Sequence, residues 1–198
     1  AFSADPGGLV PCYADVRTHG VTSPAPGEKD KAMKGDPAII RTLNAVLTNE
    51  LTAVNQYFLH ARMFESWGLR HIGQIVYDES IGEMKHADML IKRVLFLDGL
   101  PNMQDLHKLK IGETVVECLG ADLQLEYGGR ETLVAGVAQC EAAADFVSRD
   151  LLMRILSDTE EHIDFLENQF KLIEMMGEPN YIQSAMSEIA PDKSATGN

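Results

Sequence analysis

Glutamate and histidine three residues apart on a helix can grip a metal ion, and Glu83-Met84-Lys85-His86 presents such a pair. At about 100° per residue, Glu83 and His86 share one helical face, and Glu79 extends that face one turn earlier. A carboxylate and an imidazole turned inward are costly to bury unless they are paired or hold a metal. Taken alone, the stretch also has a plainer reading, since exposed helices often carry Glu-x-x-His as solvated charge. Met84 lies about 130° from the middle of that face, alongside Tyr77 and Ile81. The helix therefore has a chemical side and an apolar side. A methionine is often only adaptable core filler. An outward apolar stripe instead needs a partner surface, and a symmetric dimer brings two copies of it together.

The elements that must position these groups are all helical. Asp36-Pro37 reads as a helix cap followed by proline at the first helical position. Leu43, Val46, Leu47, Leu51, Val54, Phe58 and Ala61 then recur at helical spacing, interrupted by Glu50. Tyr57, seven residues after Glu50, falls within about 20° of it. Trp67-Gly68 ends this helix and a second is expected from about Arg70 to Leu97, forming an antiparallel hairpin. Asp98-Gly99-Leu100-Pro101 closes the second helix, and the aperiodic residues after it fit a crossover that spans the bundle. A third helix is expected from about Glu113 to Ala144, with Glu126 near its middle and Gly128-Gly129 beside it. Two mid-helix glycines cost roughly 1 kcal/mol each relative to alanine. Asp145 can cap a fourth helix that runs to Met176, where Gly177 stops it. A short fifth helix is expected over Tyr181 to Ile189. The fold class is all-α: a four-helix bundle with a long crossover between helices two and three and a short fifth helix.

The 198 residues suffice for one domain with a sizeable core. Residues 1–35 are rich in proline and glycine and read as an irregular arm that lacks a core of its own and is held by a neighbouring subunit or partner. Residues 36–190 form the bundle domain, and 191–198 a polar tail. Cys12 and His19 in the arm could be metal ligands, but two isolated residues at that spacing favour a structural role. A net charge of −13 argues against a nucleic-acid partner and suits a protein that attracts cations. No apolar run approaches the roughly 20 residues of a membrane span. Cys12, Cys118 and Cys140 are odd in number and form no C-x-x-C. Cys118 and Cys140 lie too far apart along one helix to bridge each other, which points to free thiols and a cytoplasmic location.

Two metal ions can be held in a bundle by one Glu from each of two helices and a Glu-x-x-His from each of the other two. Helix one offers Glu50, helix two Glu83 and His86, and helix three Glu126. Helix four offers His162, but Thr159 stands three residues before it. Glu160 and Glu161 point away from the His162 face. Asp158 lies on the right side with a shorter side chain.

From Met33 to about Met186 the chain resembles the bacterioferritins, the haem-containing members of the ferritin superfamily. The resemblance rests on Met33-Lys34-Gly35-Asp36, Asn49-Glu50-Leu51, the run from Asn55 to Phe64, Glu83 to Asp88, Phe96 to Pro101, and His162-Ile163-Asp164. It implies a shell of 24 subunits that oxidises Fe(II) with oxygen or peroxide and stores Fe(III) mineral. Residue by residue, Glu50, Glu83, His86, Glu126 and His162 fall on the family's dinuclear iron ligands, for one or two iron ions per subunit. Tyr57 falls near them as a one-electron donor. Met84 falls on the ligand of a b-type haem shared by two subunits. A ferredoxin-type redox partner is also implied, and the shell is homomeric or heteromeric.

The chain departs from the family at Thr159, where a bridging Glu is usual. Three carboxylates leave one positive charge of a ferrous pair uncompensated. Phe165 stands where a Trp is frequent, and Asp78 and Gly82 stand where some members carry His and Asp on the inner wall. Three readings follow: a ferroxidase that tolerates Thr159; a haem-carrying subunit with a weakened site that conducts electrons for iron release and co-assembles with an active subunit; or a dinuclear-iron oxygenase unrelated to storage, which the Met84 stripe and the short fifth helix disfavour.

Overall fold

A computed structural model describes residues 35–186. The expected arm at 1–35 (Gly35 apart) and the expected tail at 191–198 fall outside the described residues, as do Cys12 and His19. Five helices make up the rest: α1 (Pro37–Ser66), α2 (Arg70–Phe96), α3 (Val115–Ala142), α4 (Phe146–Met176) and α5 (Glu178–Ala185). Asp36 caps α1 by accepting from the Ala38 N–H at 2.7 Å, with Pro37 in the first turn. α3 starts two residues later than its periodicity suggests, because Thr114 accepts from Glu117 N–H while the Glu117 carboxylate accepts from Glu113 N–H. This reciprocal cap fixes the start. α5 starts at Glu178 rather than Tyr181, since Pro179 fits the first turn, where its missing N–H costs nothing.

Two apolar halves define how the helices run. One half joins Ile39–Leu51 of α1, Ala87–Leu97 at the end of α2, Leu133 and Cys140 of α3, and Leu152 and Ile155 of α4. The other joins Ala53–Phe64 of α1, Ile72 and Val76 of α2, Val115–Leu119 of α3, Leu166 of α4 and Tyr181 of α5. α1 and α4 therefore run one way, and α2 and α3 the other. The segment between α2 and α3 must return the full length of the bundle, as its lack of periodicity suggests. Between the two halves lies a layer of buried polar side chains contributed by all four long helices.

The crossover is extended, so its backbone polar groups need partners outside itself. α1 supplies them from one stripe at four-residue spacing. Asn44 bonds Leu100 O and Asn102 N–H, Thr52 accepts from His107 N–H, Gln56 from Lys110 N–H, and His60 Nε2 from Gly112 N–H. The last bond makes Nε2 the acceptor, so His60 Nδ1 carries the proton and donates to Asp122 of α3 at 2.8 Å. Gln56 Nε2 donates to the same carboxylate at 2.8 Å. Gly112 must be glycine at this approach, because a Cβ there would collide with the backbone of Glu117 and Cys118. Replacing His60 with leucine leaves Asp122 short of a buried donor and should cost about 2–5 kcal/mol. Urea unfolding checks the size of the loss. Hydrogen exchange should quicken over residues 107–112 before it does in α2.

Candidate metal centre

The polar layer is built where each long helix passes from one apolar half to the other. α1 contributes Glu50 and Tyr57, α2 Glu83 and His86, α3 Glu126, and α4 Thr159 and His162, all of them buried except for slight exposure. Two groups of ligand atoms result, Glu50–Glu83–His86 and Glu83–Glu126–His162, each with its atoms within 4.8 Å of one another. Glu83 belongs to both. The donor set of carboxylates and imidazoles suits iron or another first-row divalent ion.

His86 Nδ1 lies 3.1 Å from Glu50 and 2.9 Å from Glu83, and His162 Nδ1 lies 2.9 Å from Glu126. The Tyr57 hydroxyl donates to Glu126, and its ring meets His162 edge-on at 5.3 Å. Phe165 stacks on the His162 ring at 6.2 Å. Thr159 lines a small cavity together with Glu50, Glu83, Glu126 and Gly129, so it faces the centre of the layer. Glu160 instead leaves the bundle to pair with Arg130 at 2.8 Å, and Glu161 is exposed.

Asp158 goes further than its short side chain suggests. It reaches His86 Nε2 at 3.0 Å from a half-exposed position. It thus joins the layer on the His86 side, not between Glu126 and His162. Glu79 stays at the edge, outside both groups, with its carboxyl raised by burial and by Glu83 and Glu126 despite the lowering effect of His162.

Met84 is half exposed on the opposite side of α2, with Ile81 exposed beside it. Tyr77 is less available than its position in the stripe suggests. It packs on the Phe58 ring at 6.1 Å, and the Arg62 guanidinium covers it at 4.6 Å. Phe58, Ile81 and Met84 are among the large apolar side chains left exposed on the α1–α2 hairpin.

The sequence reading gave no role to Asn49, Gln56, His60, His107 or Asp122. The available signal was the four-residue spacing of Asn44, Thr48, Thr52, Gln56 and His60, five polar residues on a helix otherwise rich in apolar ones.

Without a cation, the layer holds protons in its place. Burial and the neighbouring Glu50 push the Glu83 carboxyl up to about 8, against the lowering effect of His86. Burial disfavours charge on His86, but bonds to Glu50 and Glu83 outweigh it and raise it to about 11. Burial likewise opposes charge on His162, and Glu126 outweighs it, raising it to about 9. Burial also raises Glu126, and burial together with Glu126 and Asp122 keeps the Tyr57 phenol neutral. Groups raised in the folded state bind more protons there than in the unfolded chain, so stability falls as pH rises through their window. For Glu83 that window runs from the ordinary 4.5 to about 8. The metal-free protein should therefore melt at progressively lower temperature across that window, followed by calorimetry in a buffer series. Saturating divalent metal should flatten or reverse the trend, because binding replaces the protons.

The ferritin-like domain family matches residues 40–176. The chain is 44% identical over 155 residues to the bacterioferritin of Mycobacterium bovis, covering 78% of this chain and 98% of that protein. It is 42% identical over 166 residues to the bacterioferritin of Streptomyces coelicolor, covering 84% and 99% of the two. Against the bacterioferritin of Brucella melitensis the identity is 45% over 151 residues, covering 76% and 94%. With the domain matched over most of the bundle and identity sustained across nearly the whole length of these relatives, the chain belongs to the bacterioferritin family.

Proposed function

We propose that this chain stores iron as a subunit of an oligomeric shell and oxidises Fe(II) at the layer of Glu50, Glu83, His86, Glu126 and His162. The observation that carries the reading is the pair of ligand groups sharing Glu83 in the middle of the bundle. Iron bound there supplies the redox chemistry, each Fe(II) giving one electron to oxygen or peroxide. The side chains do the rest. Glu50 and His86 form one end of the site, Glu126 and His162 the other, and Glu83 is common to both. Tyr57 orients Glu126 through its hydroxyl and stands close enough to give up an electron. Phe165 stacks on the His162 ring and Tyr57 meets it edge-on, contacts that restrict its orientation before metal arrives.

Haem b is proposed to bind through Met84, one haem serving two subunits. The fit rests on an exposed thioether with Ile81 exposed one turn away on the same helix, an apolar surface suited to a macrocycle, and methionine is an established axial ligand type. The reading also includes a shell built of copies of this chain or of this chain with a related subunit, supplied with electrons by a ferredoxin-type partner. Met84→Leu should leave fold and assembly intact and abolish the haem absorbance. Haem retained at full stoichiometry would exclude Met84 as the ligand.

The two ends of the centre are proposed to be unequal. Glu50, Glu83 and His86 have a hydrogen-bonded fourth polar neighbour in Asp158, whereas the end at Glu126 and His162 has the neutral Thr159 in the cavity and only the charge of Glu79 from the edge of the layer. One ion should bind well and the other weakly. Thr159→Glu should then speed the initial phase of Fe(II) oxidation about tenfold or more, since one partly buried charge–metal contact exceeds about 1.4 kcal/mol. Rapid oxidation of two Fe(II) per subunit by the unmutated protein, counted by stopped-flow absorbance, would show the ends to be equivalent.

A further inference from the structure

A second polar site lies outside the carboxylate layer. Between the crossover and the middle of α3 there is a groove of about 300 Å³. His107, Lys108 and Lys110 line it from the crossover, Asn49 from α1, and Gly128 and Gly129 from α3. None of its lining residues is acidic, although the chain carries a net charge of −13. Neither lysine ammonium has an ion-pair partner among the described residues, whereas Lys92, Arg93, Arg130 and Arg149 each have one.

Asn49 supplies an independent observation. It is nine-tenths buried, and its Oδ1 accepts from His107 Nε2 at 2.9 Å, yet its Nδ2 has no hydrogen-bond partner. Buried polar groups of this kind are rarely left unpaired. The two helical glycines add a third observation. A Cβ at either would meet nothing within 4 Å, so no neighbouring atom requires their smallness. Their cost to the helix leaves open the space in front of the lysines.

We infer that this groove binds a small tetrahedral oxyanion, with Lys108 and Lys110 supplying charge, and Asn49 Nδ2 a buried donor. Lysine serves such ligands as a mobile point charge, and the amide sets where an oxygen sits. The groove shares Asn49, Leu125 and Gly129 with the small cavity at the metal centre, so the anion lies one layer of side chains from Glu50 and Glu126. It remains a separate site, because no carboxylate of the metal layer lines it.

The probe is inorganic phosphate, titrated into full-length protein carrying haem and stripped of iron, and followed by the phosphorus NMR linewidth. Iron removal keeps the metal centre and any mineral from contributing to the signal. Saturable binding is expected, persisting in about 0.15 M sodium chloride, where exposed charges are screened beyond about 8 Å. The double substitution K108Q/K110Q should weaken it at least about tenfold. Gly128→Asp places a carboxylate in the groove at an exposed position with room for it, and should abolish binding while the helical circular dichroism is unchanged. No saturable binding, loss of binding on adding chloride, or equal affinity in K108Q/K110Q would each overturn the inference.

Discussion

Three carboxylates share one layer of this bundle, and their mutual repulsion is the constraint the rest of the molecule must answer. At an effective dielectric of about 20, two unit charges 4 Å apart already cost about 4 kcal/mol. Glu83 faces the largest part of it, because it belongs to both ligand groups. Positive charge must therefore come from within the layer or from a bound cation. His86 and His162 supply it in the metal-free state, each held protonated by the carboxylate it touches. A cation in the layer would take over that task and release the protons. The same side chains can thus hold protons or serve as a candidate ligand set, one positive charge standing in for the other.

Such a layer persists only if the helices cannot slide, and apolar packing alone does not fix their register. The two apolar halves would tolerate a small shift along the axis. Directional bonds would not. The α1 stripe ties the crossover backbone at successive turns, and His60 and Gln56 converge on Asp122 of α3. Asp122 lies one turn before Glu126 on α3, and Gln56 is adjacent to Tyr57 on α1. The bond that anchors the crossover therefore also sets the Tyr57 hydroxyl against Glu126. Asp122 adds to the charge that keeps the Tyr57 phenol neutral, so the clamp reaches the centre electrostatically as well as mechanically.

Periodicity and caps carried most of the architecture. The limits of α1, α2 and α4 lie within a residue of those read from Asp36-Pro37, Trp67-Gly68, Asp98-Gly99, Asp145 and Gly177, because each such signal is local. The gathering of Glu50, Glu83, His86, Glu126 and His162 was also legible, since ionisable groups on inward faces of four helices have few other ways to be buried. Asp158 was not resolved by the same reasoning. Whether it reaches His86 depends on how closely α4 approaches α2, which no single-helix projection contains. The α1 stripe was missed for a related reason. Polar residues four apart on one helix suggest a solvated face, and only the course of the crossover turns that face inward. Gly128 and Gly129 stood out by cost alone. Their use became visible only when α3 lay beside the crossover lysines.

Thr159 shows how one position can be right for one state and wrong for another. In the metal-free layer both imidazoles are raised toward their protonated form and the Glu83 carboxyl toward its neutral one, which limits the repulsion among the carboxylates. A fourth carboxylate at position 159 would add a negative charge with no further imidazole to oppose it, in a cavity already lined by Glu50, Glu83 and Glu126. Threonine avoids that repulsion. The balance would reverse with two ferrous ions in the layer, since they would bring more positive charge than three carboxylates cancel. The half-exposed Asp158 answers part of this deficit, but through His86 and therefore at one end only. At the other end Tyr57 and Phe165 pack on the His162 imidazole, and the carboxylate nearest it outside the layer, Glu79, acts on His162 through its charge and belongs to neither ligand group. The proposed asymmetry of the centre thus rests on two positions of one helix, Thr159 turned into the cavity and Asp158 turned to His86.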